Sequence, residues 1–250
     1  MRKKKTAVIS GGLGGVGRAV GKKLSEDGFD VIVLFLTSPQ GEAEAIMKSF
    51  TPGNHKAILC DIRDGRGVAD AIGSVSREYG GIDACVHAAV DPILRKNILE
   101  CDEAALRNQF ATGVFGGFNF IAAAASSMRQ ESGGAIVGML SAALSVGAPH
   151  ARMAGYVVAK YALRGLLREF SLELLPLGIT VNAIAPDFMD TGLHADVPEA
   201  VRAFIKERAV TGSIASPEDV ARAVSFLCSE AGKQVNGKIF SFDAREVSDL

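Results

Sequence analysis

Seven short apolar runs recur along this chain, each separated from the next by an amphipathic stretch. They cover Thr6 to Ser10, Val31 to Leu36, Ala57 to Cys60, Ala84 to His87, Ala135 to Leu140, Ile179 to Ile184 and Lys238 to Phe242. Helical patterns fill the gaps, from Val16 to Asp27, Gly41 to Phe50, Gly65 to Tyr79, Asp102 to Arg129, Ala154 to Leu175 and Ser216 to Glu230. Strands that alternate with helices in this way predict an α/β fold, a parallel sheet of about seven strands covered on both faces. At 250 residues, with no repeat, linker or low-complexity tract, the chain is expected to form one domain over 1–250. The stretch from Phe188 to Ser213 has the weakest core pattern and follows the carboxyl end of a strand, so a substrate lid is expected at 188–213.

The formal charge is −1, without the basic surplus that non-specific nucleic-acid binding needs. No apolar run approaches the roughly 20 residues that span a bilayer. Cys60, Cys85, Cys101 and Cys228 are scattered and include no Cys-x-x-Cys pair. Neither a metal site nor a disulfide framework is therefore expected, and reduced thiols fit a cytoplasmic protein. The run Arg2-Lys3-Lys4-Lys5 reads as a solvated tail, because the apolar stretch after it is too short for a signal peptide.

Ser10-Gly11-Gly12-Leu13-Gly14-Gly15-Val16-Gly17 lies between the first strand and the first helix. Glycines there permit a tight turn and a close backbone approach to a pyrophosphate, whose charge meets the helix N-terminus. Gly11, Gly15 and Gly17 fit those roles and make the doubly wound fold a Rossmann-type one. Asp61, after the third strand, is placed to accept the adenine amino hydrogens or, alternatively, to cap the next helix. At the end of strand two the chain reads Leu36-Thr37-Ser38, with no carboxylate to pair with a ribose 2′-hydroxyl. Thr37 and Ser38 can hydrogen-bond a 2′-phosphate, so NADP (NADPH) is expected ahead of NAD.

Tyr156 and Lys160 are four residues apart, which puts phenol and ammonium on one helix face, and Ser141 lies fifteen residues upstream. A cation roughly 4 Å from a phenol is worth up to about 4 kcal/mol at an effective dielectric of 20, or about three pKa units. Lys160 is thus expected to draw Tyr156 toward working pH. The phenol can give its proton to a carbonyl oxygen while Ser141 hydrogen-bonds the same oxygen.

With these motifs in this order the chain resembles the short-chain dehydrogenase/reductase family over almost its whole length. The resemblance implies Ser141, Tyr156 and Lys160 as catalytic residues. It adds Val16, Ile62, Ala88, Tyr156, Lys160, Pro186 and Thr191 to the cofactor contacts, Pro186 closing the stretch Gly178-Ile179-Thr180-Val181-Asn182-Ala183-Ile184-Ala185-Pro186. Leu94-Arg95-Lys96-Asn97-Ile98-Leu99 looks like the loop of β-ketoacyl carrier-protein reductases. The implied activity is NADPH-dependent reduction of a ketone such as a 3-oxoacyl thioester, on acyl carrier protein or coenzyme A. Arg129 stands where related reductases place a basic residue or, alternatively, is the solvated charge that ends its helix. Family members are commonly dimers or tetramers, so a homo-oligomer is implied.

Four departures stand out. His87-Ala88-Ala89-Val90 replaces the family's Asn-Asn-Ala-Gly, so side-chain bonds that brace the central strands are missing or replaced. Phe110 aligns with the asparagine of the family's catalytic tetrad, Asp187 replaces a glycine after Pro186, and Ala244-Arg245 replaces a glycine pair. Two other readings stay open: NAD-dependent oxidation of a small secondary alcohol, and a nucleotide-binding or structural partner protein with degenerate catalysis.

Overall fold

A computed structural model describes residues 4–37, 40–128, 133–145, 152–195, 197–207, 209 and 213–242. Seven parallel strands form one sheet: β1 (Thr6–Ser10), β2 (Asp30–Phe35), β3 (Lys56–Leu59), β4 (Ala84–His87), β5 (Gly134–Met139), β6 (Ile179–Ala185) and β7 (Ile239–Ser241). Their order across the sheet is β3-β2-β1-β4-β5-β6-β7. The chain therefore builds outward from β1 to β3, then crosses back to lay β4 on the other side of β1. That reversal opens a crevice at the carboxyl ends of β1 and β4, the place where open α/β sheets bind ligands.

The strands are apolar because both faces are covered. Ala7, Ile9, Val31 and Val33 pack into one core layer with α1 (Gly15–Glu26) and α8 (Pro217–Leu227). Val8, Ile32, Leu34 and Ile136 face the opposite layer, built on α3 (Gly65–Tyr79), α5 (Gly117–Ser126) and α6 (Ala154–Glu173). Ile9, Ile32, Leu34 and Ile136 are all but inaccessible to solvent. Each such side chain contributes about 1.5–3 kcal/mol by leaving water.

Local signals fix the helix starts. Asp64 caps α3 by accepting from Arg66 N, and Asp102 caps α4 (Glu103–Phe110) by accepting from Ala105 N at 2.7 Å. Ser216 and Asp219 close a reciprocal box at the start of α8, with Asp219 N donating to Ser216 Oγ and Ser216 N to Asp219 Oδ2. The remaining helices are α2 (Gln40–Lys48) and α7 (Glu199–Glu207). No helix among the described residues is long and apolar enough to cross a membrane.

Two sequence expectations change here. The single helix expected over Asp102 to Arg129 is divided: α4 gives way to a π-helical segment, Ala111–Gly116, before α5. Glycines let that segment approach its neighbours. A Cβ on Gly116 would lie 2.8 Å from Ile62 Cγ1, and one on Gly117 would lie 2.8 Å from His87 Nε2. Arg129 falls outside the described residues, as does the pair Ala244-Arg245. The second change is α7, an unanticipated helix within the expected lid.

Candidate active site

The site is assembled where β1, β4 and β5 end side by side, with Ser10 in register with His87 and His87 with Gly138. From β1 the chain turns at Gly11, whose φ of +67° is left-handed; a Cβ there would sit 2.7 Å from Ala89 N and Cα. A Cβ on Gly17 would fall onto the Gly11 carbonyl oxygen. Gly15 abuts Thr191, whose Cγ2 would be 3.2 Å from an added Cβ. Gly14 occupies the N-cap of α1 and offers no side-chain acceptor, whereas aspartate or serine caps α3, α4 and α8. A tight glycine cradle under an uncapped helix N-terminus fits a pyrophosphate.

Ser141 follows β5. Its Oγ accepts from Ala143 N at 3.2 Å, turning the chain over Ala142–Leu144, and Ala142 N donates to the Pro186 carbonyl at 2.8 Å. Tyr161 Oη donates to the Leu144 carbonyl at 2.8 Å, which fastens this turn to α6. On α6, Tyr156 and Lys160 are 6% and 5% exposed. Lys160 Nζ donates to the Met139 carbonyl at 2.6 Å and lies 5.6 Å from the Tyr156 ring centroid. Desolvation lowers the lysine to about 8.

The tyrosine does not shift as its spacing from lysine predicts. Burial raises the Tyr156 phenol, and a hydrogen bond with Ser141 opposes that rise. Lys160, lowered to about 8, has lost its charge in the range above 10 where the phenol titrates, so burial dominates the phenol. The phenol accordingly holds its proton at neutral pH.

A cleft of about 490 Å³ collects Val16, Ala88, Ser141, Tyr156, Lys160 and Pro186, together with Val90, Arg95 and Asp187. Its outer wall is Phe188, Leu193, Val197, Val201 and Ile205, from the segment that follows β6. Val90 packs with Ala143 and Tyr156. Phe110 ends α4 with its ring 6.2 Å from that of Phe115.

Thr37, Asp61 and Ile62 do not line this cleft; they stand beyond the ends of β2 and β3. Thr37 is exposed, while Ser38 lies outside the described residues. Asp61 is gripped by Arg63, whose Nε is 2.8 Å from Oδ1 and whose NH2 is 2.6 Å from Oδ2, and these bonds hold its carboxyl below the usual range.

Two features escape sequence reasoning. Within the outer wall, Arg202 donates to Asp190 Oδ1 at 2.7 Å and to the carbonyls of Val197, His194 and Ala195, while Lys206 donates to Asp190 Oδ2 at 3.0 Å. Val201, Phe204 and Ile205 recur at helical spacing and signal the α7 that carries these cations. The second is His87, whose ring nitrogens meet Ser10 Oγ at 2.8 Å and the Gly113 carbonyl at 3.4 Å. The bracing bonds are thus replaced by a histidine, not lost.

Comparison with known proteins agrees with this geometry. Residues 11–244 match the family model described as enoyl-(acyl carrier protein) reductase. The chain is 33% identical to L-2,3-butanediol dehydrogenase of Corynebacterium glutamicum over 255 residues, covering 96% of this chain and 97% of that one. It is 31% identical to the 3-oxoacyl-[acyl-carrier-protein] reductase FabG of Staphylococcus aureus over 245 residues, covering 95% and 96%. A solved short-chain dehydrogenase/reductase from Serratia marcescens superposes with a TM-score of 0.86 at 27% identity, covering 95% of each chain.

Proposed function

The chain belongs to the short-chain dehydrogenase/reductase family, an oxidoreductase family that binds a nicotinamide cofactor, and on that premise we propose that it is an NADPH-dependent reductase of ketones such as 3-oxoacyl thioesters. One observation carries this reading: a buried phenol lines the cleft beside Ser141, with Lys160 one turn further along the same helix. Such a group is a donor, suited to a carbonyl oxygen that gains charge as its carbon is reduced.

Gly11, Gly15, Val16 and Gly17 are assigned to the pyrophosphate, Thr37 and Ser38 to the 2′-phosphate, and Asp61 and Ile62 to the adenine. Ala88, Tyr156, Lys160, Pro186 and Thr191 are assigned to the nicotinamide half. Three strand spacings, about 14 Å, separate β3 from β4 and give room for an extended dinucleotide. When bound, the nicotinamide supplies the hydride. Ser141 hydrogen-bonds the substrate carbonyl oxygen, Tyr156 protonates it, and the Lys160 ammonium stabilises the phenolate left behind. The segment 188–213 closes over the substrate and excludes water from the exchange.

The S. aureus relative, a 3-oxoacyl-[acyl-carrier-protein] reductase, and the loop from Leu94 to Leu99 support a thioester substrate on acyl carrier protein or coenzyme A. A cytoplasmic homo-oligomer fits the same reading. Asp187 in the cleft and the butanediol dehydrogenase relative favour a second reading, NAD-dependent oxidation of a small secondary alcohol. Turnover of acetoacetyl coenzyme A with NADPH, and of butanediol with NAD, separates the two. Tyr156→Phe is expected to abolish whichever activity is found; a variant that keeps it removes the phenol from the reaction.

A further inference from the structure

Val90 stands just beyond β4, at a position where the family's sequence pattern has glycine. Together with Met153 and Leu193 it packs on a buried cluster of Ile93, Ala143 and Tyr156. All of these except Ile93 also line the cleft, so they form its wall beside the phenol, and Ile93 backs that wall from behind. A β-branched side chain has little freedom at χ1, so Val90 does not swing aside for a ligand. The remaining space is small. A cleft of about 490 Å³ has room for about sixteen groups the size of a water, at about 30 Å³ each. A nicotinamide ring with its carboxamide takes about nine of these and leaves about seven for the substrate.

We propose that Val90 sets the substrate class: with Ala143, Met153 and Leu193 it closes the space beside Tyr156 to all but a small substituent, so the enzyme takes methyl ketones such as acetoacetyl thioesters ahead of longer 3-oxoacyl thioesters. A ketone carbonyl carries two arms. The arm that bears coenzyme A or a carrier protein is too large for the cleft and leaves by its mouth, so the other arm ends against the wall. An acetoacetyl group, with about six non-hydrogen atoms, fits the space that remains. Each further pair of methylenes meets Val90 or displaces Leu193 from its packing. Removing the isopropyl group of Val90 returns about 90 Å³, room for about three more chain atoms. The inference rests on the proposed function, since it presupposes a ketone held at Tyr156 and Ser141.

The test measures Tm, and kcat/KM with NADPH for 3-oxobutanoyl, 3-oxohexanoyl and 3-oxooctanoyl coenzyme A, for the parent and for Val90→Gly and Val90→Ala. In the parent, kcat/KM is expected to fall about tenfold or more from the butanoyl to the hexanoyl substrate, the discrimination that surplus methylenes bring. Val90→Gly is expected to raise the hexanoyl-to-butanoyl ratio by about tenfold, and Val90→Ala by less. A ratio between two substrates cancels any general loss of activity, so a residue that only supports the fold leaves it unmoved. A parent that takes all three lengths equally, or a longer one faster, overturns the proposal, as does a folded Val90→Gly with the parent's ratio. Should Val90→Gly fail to fold, Val90→Ala decides: an unchanged ratio overturns the proposal. Absence of turnover with every thioester strikes the reaction assignment instead. Calorimetry of the same thioesters with the protein and NADP then tests the wall by itself, and a Kd that does not weaken from butanoyl to hexanoyl overturns it.

Discussion

Replacing Lys160 by methionine is expected to make the protein more stable and less active at neutral pH. The ammonium is buried, and desolvation moves it from 10.5 to about 8. At about 1.36 kcal/mol for each pH unit, that drop corresponds to about 3.4 kcal/mol by which the fold disfavours the charge. Methionine removes this cost but leaves the buried Met139 carbonyl without its donor, a loss of about 1–3 kcal/mol. The net is a gain of about 0.4–2.4 kcal/mol for Lys160→Met at pH 7. The pH dependence provides an internal check. Between about 8 and 10.5 the unfolded lysine binds more protons than the folded one, so the parent gains stability as pH rises through that window and the variant does not. The variant's advantage is therefore full below about pH 8 and fades, then reverses, by about pH 10. Urea denaturation of both proteins at several pH values measures it. A variant less stable than the parent at pH 7, or a gap that stays constant from pH 7 to 10, refutes the reasoning.

Three further outcomes are expected. The kcat/KM for reduction falls as pH rises through about 8, because the Lys160 ammonium is present below that value and lost above it; a flat profile from pH 7 to 9 would show that the charge is not needed. Thr37→Asp puts a carboxylate after β2 and shifts the NADPH-to-NADH affinity ratio toward NADH by about ten- to a hundredfold; an unchanged ratio removes Thr37 from the cofactor site. Arg202→Ala removes one of the two donors to Asp190 and the donor to three carbonyls, so KM rises about tenfold with a smaller change in kcat, and chymotrypsin, whose aromatic and leucine sites the change leaves intact, cuts sooner between Asp190 and Glu207; equal KM and equal digestion rates count against a lid fastened by this residue.

The fold was largely readable from the chain because its signals are local. β1 and β4 fall where their apolar runs begin and end, α3 runs from Gly65 to Tyr79 as its pattern indicates, and Ser216 caps α8. Ser141, Tyr156 and Lys160 line one cleft. What sequence spacing could not supply was direction. The (i, i+4) relation puts Lys160 beside Tyr156, yet only tertiary packing shows the amine turned to the Met139 carbonyl and the phenol raised by burial. The close approaches of Ile62 to Gly116, at the end of the π-helical segment, and of His87 to Gly117 escaped because those residues are far apart in the chain. The grip of Arg63 on Asp61 was likewise invisible until both side chains had positions.

The fastening of the cleft's outer wall has an evolutionary corollary. Among the described residues Arg202 takes its partners from Asp190, His194, Ala195 and Val197, and Lys206 shares Asp190, so every one of these bonds begins and ends inside one short stretch. Such a stretch behaves as a cassette. It can be exchanged among homologous scaffolds together with its own internal ties, reshaping the outer wall while the cleft residues that follow β5 and lie on α6 stay as they were.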